Sequence, residues 1–132
     1  MAGKRKDRKF ERRPKIHAHR SVRRYDGTIQ ESFNLAVDRL KRDVPLNAPI
    51  KVTRGIVADN NWGDCYWDSK RSTYIIRISN KLRWPGMITT LIHEWAHALV
   101  WDKQKRKKSK IDHDDDFWIT LGRVSRIYDQ ED

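Results

Sequence analysis

The sequence predicts an α+β fold, in which a small antiparallel sheet packs against about three helices. Helical apolar spacing occurs on both sides of a central region that is rich in β-branched residues. The chain of 132 residues is long enough for one hydrophobic core but not for two. From Met87 to Trp101 the segment is almost entirely apolar, and its only titratable side chains are those of His93, Glu94 and His97. Burying such groups is costly unless something satisfies them, so this segment is expected to carry the function.

Residues 1–24 are predicted to form a basic, disordered arm, and residues 25–132 are predicted to form the folded domain. The arm has eleven Lys and Arg residues against two acidic ones, so it carries +9 of the chain's formal charge of +11. Such a segment attracts polyanions, and nucleic acid is the partner that we expect, through release of phosphate counterions. The alternative is a solubilising or targeting tail. The expected contacts in the arm are Lys4, Arg5, Lys6, Arg8, Lys9, Arg12 and Arg13.

The sequence has neither a secretory signal pattern nor an apolar run of about 20 residues, the length that a membrane-spanning helix needs. The single cysteine, Cys65, excludes an internal disulfide and agrees with a reducing compartment. We therefore expect a soluble, intracellular protein without a membrane partner. Cys65 is expected to pack in the fold rather than to act as a nucleophile.

The first helix is predicted over residues 29–42. Thr28 and Glu31 have the spacing of a capping box, in which each side chain accepts a hydrogen bond from the other residue's backbone N–H. Apolar residues then recur at helical spacing, and Pro45 prevents the helix from continuing.

Three strands are predicted between this helix and the next. Residues 50–58 and 73–79 are rich in β-branched side chains that alternate by two, and a shorter strand is expected over 65–67. Residues 68–72 are predicted to form the hairpin turn between the last two strands. We expect the strand over 73–79 to offer its edge to an extended substrate peptide, which would add a strand to the sheet.

The central helix is predicted to begin at Pro85, which suits the first turn of a helix. One of its faces is an apolar stripe for packing on the sheet, formed by Ile88, Ile92, Trp95 and Leu99. Another face holds Thr90, His93, His97 and Trp101. The segment Lys103–Lys110 follows, with six positive charges and no acidic residue, and is predicted to be a loop. Its candidate nucleic-acid contacts are Lys105, Arg106, Lys107 and Lys108.

His93 and His97 are four residues apart, so a helix places their side chains one above the other, where they can share one ion. Neutral imidazoles bind zinc, and a catalytic zinc site has three protein ligands and an open position for water. Glu94 lies about 100° around the helix from His93. We expect it to act as general base toward zinc-bound water and then as general acid toward the leaving amine. The H-E-x-x-H pattern in a buried helix therefore predicts a zinc hydrolase.

The third metal ligand is expected from the chain after His97. His113 is the preferred candidate, because it is the only later histidine and precedes a final helix with the apolar stripe Phe117, Leu121, Val124 and Tyr128. The alternative ligands are Asp112, Asp114, Asp115 and Asp116. These carboxylates have a second explanation, since acidic residues offset the dipole at a helix N-terminus, and one of them could orient a ligand imidazole. His17 and His19 lie in the arm and are expected to be solvated.

From Trp62 to Trp118, about half of the chain, the sequence resembles the SprT-like zinc metalloprotease domain. The resemblance rests on four stretches: WGDC at 62–65, YIIRISNKL at 74–82, LIHEWAHAL at 91–99 and HDDDF at 113–117. It implies a minimal zincin-like metalloprotease core. It also implies Glu94 as the catalytic residue and His93, His97 and His113 as the zinc ligands.

Two features depart from the pattern of that family. Asp114 stands where a glycine usually follows the third histidine, so the local turn is expected to differ. The sequence also contains no counterpart of the C-terminal zinc-binding module of many members. Any DNA contact is therefore expected from the arm and from the Lys103–Lys110 segment, which joins the second ligand to the third.

The leading hypothesis is a zinc-dependent endopeptidase that acts on nucleic-acid-associated proteins. The alternative is a nucleic-acid-binding or assembly protein with a structural or vestigial zinc site. Glu94 favours the enzyme, because a structural site needs no base. A third possibility is a zinc protease that the arm targets to a larger assembly. Base stacking is a further hypothesis for Trp62, Trp67 and Trp101, although tryptophans more often form a core or the wall of a cleft.

Overall fold

The computed structural model describes residues 28–58 and 61–130. The predicted arm over residues 1–24, with its candidate contacts and its two histidines, lies outside these ranges, so its separation from the domain stays a prediction. The described chain is α+β, as predicted, and consists of one helix, three strands and two further helices. These elements are α1 (Ile29–Asp43), β1 (Ile50–Gly55), β2 (Gly63–Asp68), β3 (Thr73–Ser79), α2 (Gly86–Lys107) and α3 (Asp115–Asp129).

The start of α1 has the predicted capping box. The Glu31 N–H donates to the Thr28 side chain at 3.0 Å, and the Thr28 N–H donates to the Glu31 carboxylate at 2.8 Å. The helix ends at Asp43, one residue beyond the prediction. Its inner face is buried in the main core through Phe33, Ala36, Val37 and Leu40.

The sheet is mixed, which corrects the prediction of an antiparallel sheet. β3 lies in the middle of the order β1-β3-β2, and it pairs antiparallel with β2 but parallel with β1. β3 is the most apolar strand, and five of its seven residues are buried. A strand of this composition suits the central position, where both of its edges are paired. β1 therefore pairs with β3 on the side opposite the β2–β3 hairpin.

The central position of β3 also corrects the prediction that this strand offers its edge to a peptide. Both edges of β3 are already hydrogen-bonded to neighbouring strands, so no peptide can add there. The edge strands are β1, which ends at Gly55 instead of residue 58, and β2, which is longer than the predicted 65–67. In the described sheet, only β1 and β2 have an unpaired edge to which a peptide strand can add.

α2 is a helix of 22 residues that begins at Gly86, one residue after the predicted start at Pro85. Its stripe of Ile88, Ile92 and Trp95 is buried in the main core. The Trp95 indole N–H donates to the Val44 carbonyl at 2.9 Å and so fixes α2 to the end of α1. Although α2 is long, neither it nor any other described helix has the length and apolarity needed to cross a membrane.

The segment Lys103–Lys110 is mostly helical, which corrects the prediction of a loop. α2 continues to Lys107 and ends where Lys108 adopts a left-handed conformation with φ 56°. Lys, Arg and Gln are good helix formers, and cations in the last turn interact favourably with the helix dipole. The segment also has no glycine or proline that would end the helix earlier. Most of its cations are therefore displayed on the final turns of α2.

β2 approaches α2 closely at Gly63. A Cβ atom there would lie 2.9 Å from the Thr90 methyl carbon and 3.1 Å from the Arg77 carbonyl oxygen. The carbonyl oxygen belongs to the paired backbone of β3 and has little freedom to move. Glycine therefore allows β2 to lie against the turn of α2 that precedes His93.

Replacement of Gly63 by alanine is expected to lower the free energy of unfolding by about 1–3 kcal/mol, the usual cost of adding atoms to a filled space. Gly122→Ala is the matched control, because a Cβ atom at this position of α3 meets nothing within 4 Å. It should raise the free energy of unfolding by about 0.5–1 kcal/mol, since alanine is favoured in helices. Urea denaturation measures both effects. Equal effects of the two substitutions would contradict the close approach at Gly63.

Candidate metal centre

Three histidines from two parts of the chain converge on one point. His93 and His97 lie on α2, and His113 lies in the connection between α2 and α3. The Nε2 atom of His113 is 3.1 Å from Nε2 of His97 and 3.2 Å from Nε2 of His93. One ring nitrogen from each residue lies within 4.8 Å of the other two. The structure thus brings the three predicted ligands close enough to bind one metal ion.

The separations fit a shared ion better than hydrogen bonds between the rings. An imidazole nitrogen has one bonding site in the ring plane, either a lone pair or an N–H. His113 Nε2 therefore cannot form good hydrogen bonds to both His93 and His97. Two nitrogens bound to one tetrahedral zinc ion at 2.0–2.1 Å lie about 3.3 Å apart, close to the observed distances. The three imidazoles fit a divalent transition metal, although this ligand type suits zinc, copper, iron and nickel alike.

Glu94 is the only buried carboxylate in the described part of the chain, and 7% of its surface is exposed. It follows His93 on α2, and it lies close enough to β2 for its charge to affect the pKa of Cys65. Burial raises the pKa of the Cys65 thiol well above its usual range, and the charges of Glu94 and Asp64 add to this increase. The thiolate is the reactive form of cysteine, so Cys65 is unreactive at neutral pH. It packs against the core, as predicted.

Phe117 forms an apolar wall beside all three imidazoles. Its ring centroid lies 4.3 Å from that of His97, in a stacked arrangement, and within 4.9 Å of the other two. The side chain is completely buried, so it keeps water from this side of the cluster. Trp118 lies 5.6 Å from the His113 ring and is 46% exposed. The cluster is therefore apolar on the Phe117 side and borders the protein surface at Trp118.

Asp114 holds the start of α3, which is the second role predicted for the aspartates. Its Oδ1 atom accepts a hydrogen bond from the Phe117 N–H at 3.0 Å and another from Gln104 Nε2 at 2.9 Å. Its Oδ2 atom accepts from the Ser109 hydroxyl at 3.0 Å. The bond from Gln104 is the largest cause that lowers the pKa of Asp114, followed by the bond from Phe117. The carboxylate thus stays charged at neutral pH and stabilises the helix N-terminus.

Asp116 joins the first turn of α3 to the last turns of α2. It forms ion pairs with Lys107 and, at 3.1 Å, with Lys103. The bond from Lys107 and then that from Lys103 lower the pKa of Asp116. Within the described ranges the candidate metal-binding group consists of the three histidines and includes none of the four aspartates.

Gln104 and Ser109 also belong to the site region, although neither is predicted from the sequence. Gln104 Nε2 donates to the Asp112 carbonyl at 2.8 Å and to Asp114 Oδ1 at 2.9 Å, on either side of His113. A signal for Gln104 was present in the sequence. It lies seven residues after His97, or about two helical turns, and is the one uncharged residue among the cations from Lys103 to Lys108.

The candidate nucleic-acid contacts on α2 differ in how the fold uses them. Lys107 is paired with Asp116. Lys105, Arg106 and Lys108 are exposed and form no ion pair with any other described residue. They lie in the turn that ends α2, immediately beyond Gln104. Three of the four candidates are therefore available to a polyanion.

The three tryptophans considered for base stacking also separate into two groups. Trp67 and Trp101 both pack against Tyr74, with ring centroids at 4.8 Å and 6.3 Å, and both are partly buried. Packing accounts for these two residues. Trp62, just before β2, is 37% exposed, and base stacking stays a prediction for it.

No model of a known protein family matches this chain, and no curated protein sequence matches it. The resemblance to the SprT-like domain rests on the motifs alone.

The purified protein is expected to contain about one divalent metal ion per chain. His113→Ala should lower the metal affinity by at least about 10-fold. Removal of a group that only orients a ligand already costs about this much, and removal of the ligand itself should cost more. Asp115→Asn is the matched control, because Asp115 is an exposed neighbour outside the cluster. Elemental analysis after dialysis against a competing chelator measures the occupancy. Unchanged occupancy in the His113 variant would exclude this residue as a ligand.

Proposed function

We propose that this protein is a zinc-dependent endopeptidase that acts on nucleic-acid-associated proteins. The observation that carries the proposal is the convergence of His93, His97 and His113, with Glu94 next to the first of them. A structural zinc site has four protein ligands, whereas a catalytic site has three and keeps one position open. The group of three ligands in the described chain favours catalysis. The motifs that resemble the SprT-like domain support the same assignment and a zincin-like core.

The roles of the residues follow from their chemistry. Zinc bound by the three imidazoles would polarise the scissile carbonyl and lower the pKa of a water molecule. The Glu94 carboxylate takes a proton from the attacking water and delivers it to the leaving amine. Phe117 keeps solvent from one side of the imidazoles, which strengthens electrostatic interactions around them.

The outer edge of β2 is the proposed position of the substrate backbone. β3 is the only strand that pairs with β2 in the described part of the chain, so the other edge of β2 is open there. β2 also lies against α2, since Gly63 approaches Thr90 and the Glu94 charge acts on Cys65. An extended peptide that adds to this edge would gain main-chain hydrogen bonds and run beside the turn that carries Glu94.

Nucleic acid is the proposed partner, and the exposed cations at the end of α2 support it. Lys105, Arg106 and Lys108 are exposed at the end of α2, and the arm would add further phosphate contacts. The same cations favour the second candidate function, a nucleic-acid-binding or assembly protein whose metal site is structural or vestigial. The two candidates differ in whether Glu94 performs chemistry.

Glu94→Gln should keep the metal and reduce cleavage of a DNA-bound protein by about 100-fold or more, the usual contribution of a general acid–base group. Glu31→Gln makes the same chemical change in the capping box of α1 and should leave cleavage unchanged. The assay compares the variants and the wild type with single-stranded DNA, double-stranded DNA and no DNA, and metal content is measured on the same samples. Full cleavage by the Glu94 variant would exclude its catalytic role. A metal-loaded wild type that binds DNA but cleaves nothing would favour the second candidate.

Replacement of Lys105, Arg106 and Lys108 together by glutamate should weaken DNA binding and reduce the dependence of log K on log salt by about 2–3, since each lost phosphate contact removes about 0.9. The matched control is glutamate at Lys41, Lys51 and Lys70. These lysines are also exposed, so the net charge changes equally. Deletion of residues 2–24 tests the arm in the same titrations. Equal losses in both triple variants would show that net charge, and not the end of α2, determines binding.

A further inference from the structure

The three candidate ligands differ in how firmly the fold can position them. His93 and His97 belong to one helix, so their spacing is set by the backbone hydrogen bonds of α2. His113 lies outside the helices, in the connection that joins α2 to α3. A histidine in such a connection needs contacts of its own if its ring is to stay within bonding distance of a shared ion.

Gln104 makes such contacts on both sides of His113. Its Nε2 atom donates to the Asp112 carbonyl at 2.8 Å and to Asp114 Oδ1 at 2.9 Å. Both partners are acceptors, so the amide group must present its nitrogen to them and not its oxygen. The residues before and after His113 are thereby bonded to one side chain.

Asp114 extends this contact into α3. The oxygen that accepts from Gln104 also accepts from the Phe117 N–H at 3.0 Å, and the other oxygen accepts from the Ser109 hydroxyl at 3.0 Å. The chain after His113 is thus held by charge-assisted hydrogen bonds to Asp114, which are stronger than the neutral bond to the Asp112 carbonyl before it. The connection is joined to α2 at Gln104 and to α3 at Phe117.

Gln104 lies on the same helix as His93 and His97. It lies on α2 about two helical turns beyond His97, where residues seven apart share one face. The position of the connection relative to His93 and His97 is therefore set within a single helix.

We propose that Gln104 is a positioning residue for the metal centre, which holds His113 where its imidazole completes the ligand set. This inference rests on the proposed metal-dependent function, since it concerns the third ligand of that site. Gln104 acts through the backbone of residue 112 and the carboxylate of residue 114, and it has no role as a ligand.

Gln104→Met keeps the length of the side chain but removes its donor. It should lower the Zn²⁺ affinity by about 10-fold or more, as loss of a group that orients a metal ligand usually does. With Co²⁺ as the probe, the intense visible absorption of a tetrahedral site should weaken as His113 leaves the ion. Gln30→Met is the matched control. Gln30 is also a helical glutamine with side-chain hydrogen bonds, to Asn34 and Arg54, but it lies on α1 and has no bond to the connection that carries His113. This substitution should change neither quantity.

Gln104→Lys restores a group that can donate to both acceptors and should keep the Zn²⁺ affinity within a few-fold of the wild type. If Gln104→Met does not fold, Gln104→Asn carries the same expectation, because the shortened amide cannot reach both partners. The thermal stability of the metal-free proteins is measured in parallel. A merely structural role would lower this stability and leave the Zn²⁺ affinity and the Co²⁺ spectrum unchanged, and that result would overturn the proposal.

The outcomes separate this inference from the proposed function. Wild-type protein that binds no Zn²⁺ would overturn both. Wild-type protein that binds Zn²⁺, with equal affinity in the Gln104→Met variant, would overturn only the role of Gln104. A Gln104→Lys variant as weak as Gln104→Met would also overturn it, because the hydrogen bonds would not be the cause.

Discussion

Packing of α2 against the sheet and both other helices determines where every group of the candidate site lies, because His93, Glu94 and His97 all belong to this helix. The buried stripe of α2 fixes its rotation, so the two histidines must face the side on which α3 begins. Only one requirement is then left, a third imidazole from another part of the chain. The fold meets it by ending α2 with Lys108 in a left-handed conformation and returning the chain toward Phe117.

The features that the sequence predicted correctly depend on neighbours along the chain. The capping box at Thr28 and the two-histidine face of α2 are set by hydrogen bonds and spacings within a few residues. The error in the sheet concerns a feature that depends on distant partners. β1 takes the edge of β3 that stays free after the β2–β3 hairpin forms, and no local pattern encodes this position or the parallel direction. α2 continues through most of the segment predicted as a loop, because its residues are good helix formers and because Asp116 on α3 compensates part of their charge.

Ion pairs with α3 neutralise part of the positive charge of the segment Lys103–Lys110. Lys103 and Lys107 join α2 to α3 through ion pairs with Asp116, whereas Lys105, Arg106 and Lys108 form no ion pair with another described residue. The charge that a polyanion can meet on α2 is thus smaller than the sequence suggests, but it is held on one helical turn. That turn directly follows Gln104, so the basic group and the support of His113 share one rigid element.

The proposed catalytic role of the candidate metal centre depends on Glu94. A buried carboxylate carries a cost of desolvation. Glu94 is not part of the candidate ligand group, although it directly follows one of its members. An apolar residue at this position of α2 would pack in the same helix without that cost. In the proposed enzyme the carboxylate lies next to a three-ligand centre, where it transfers protons between the attacking water and the leaving amine.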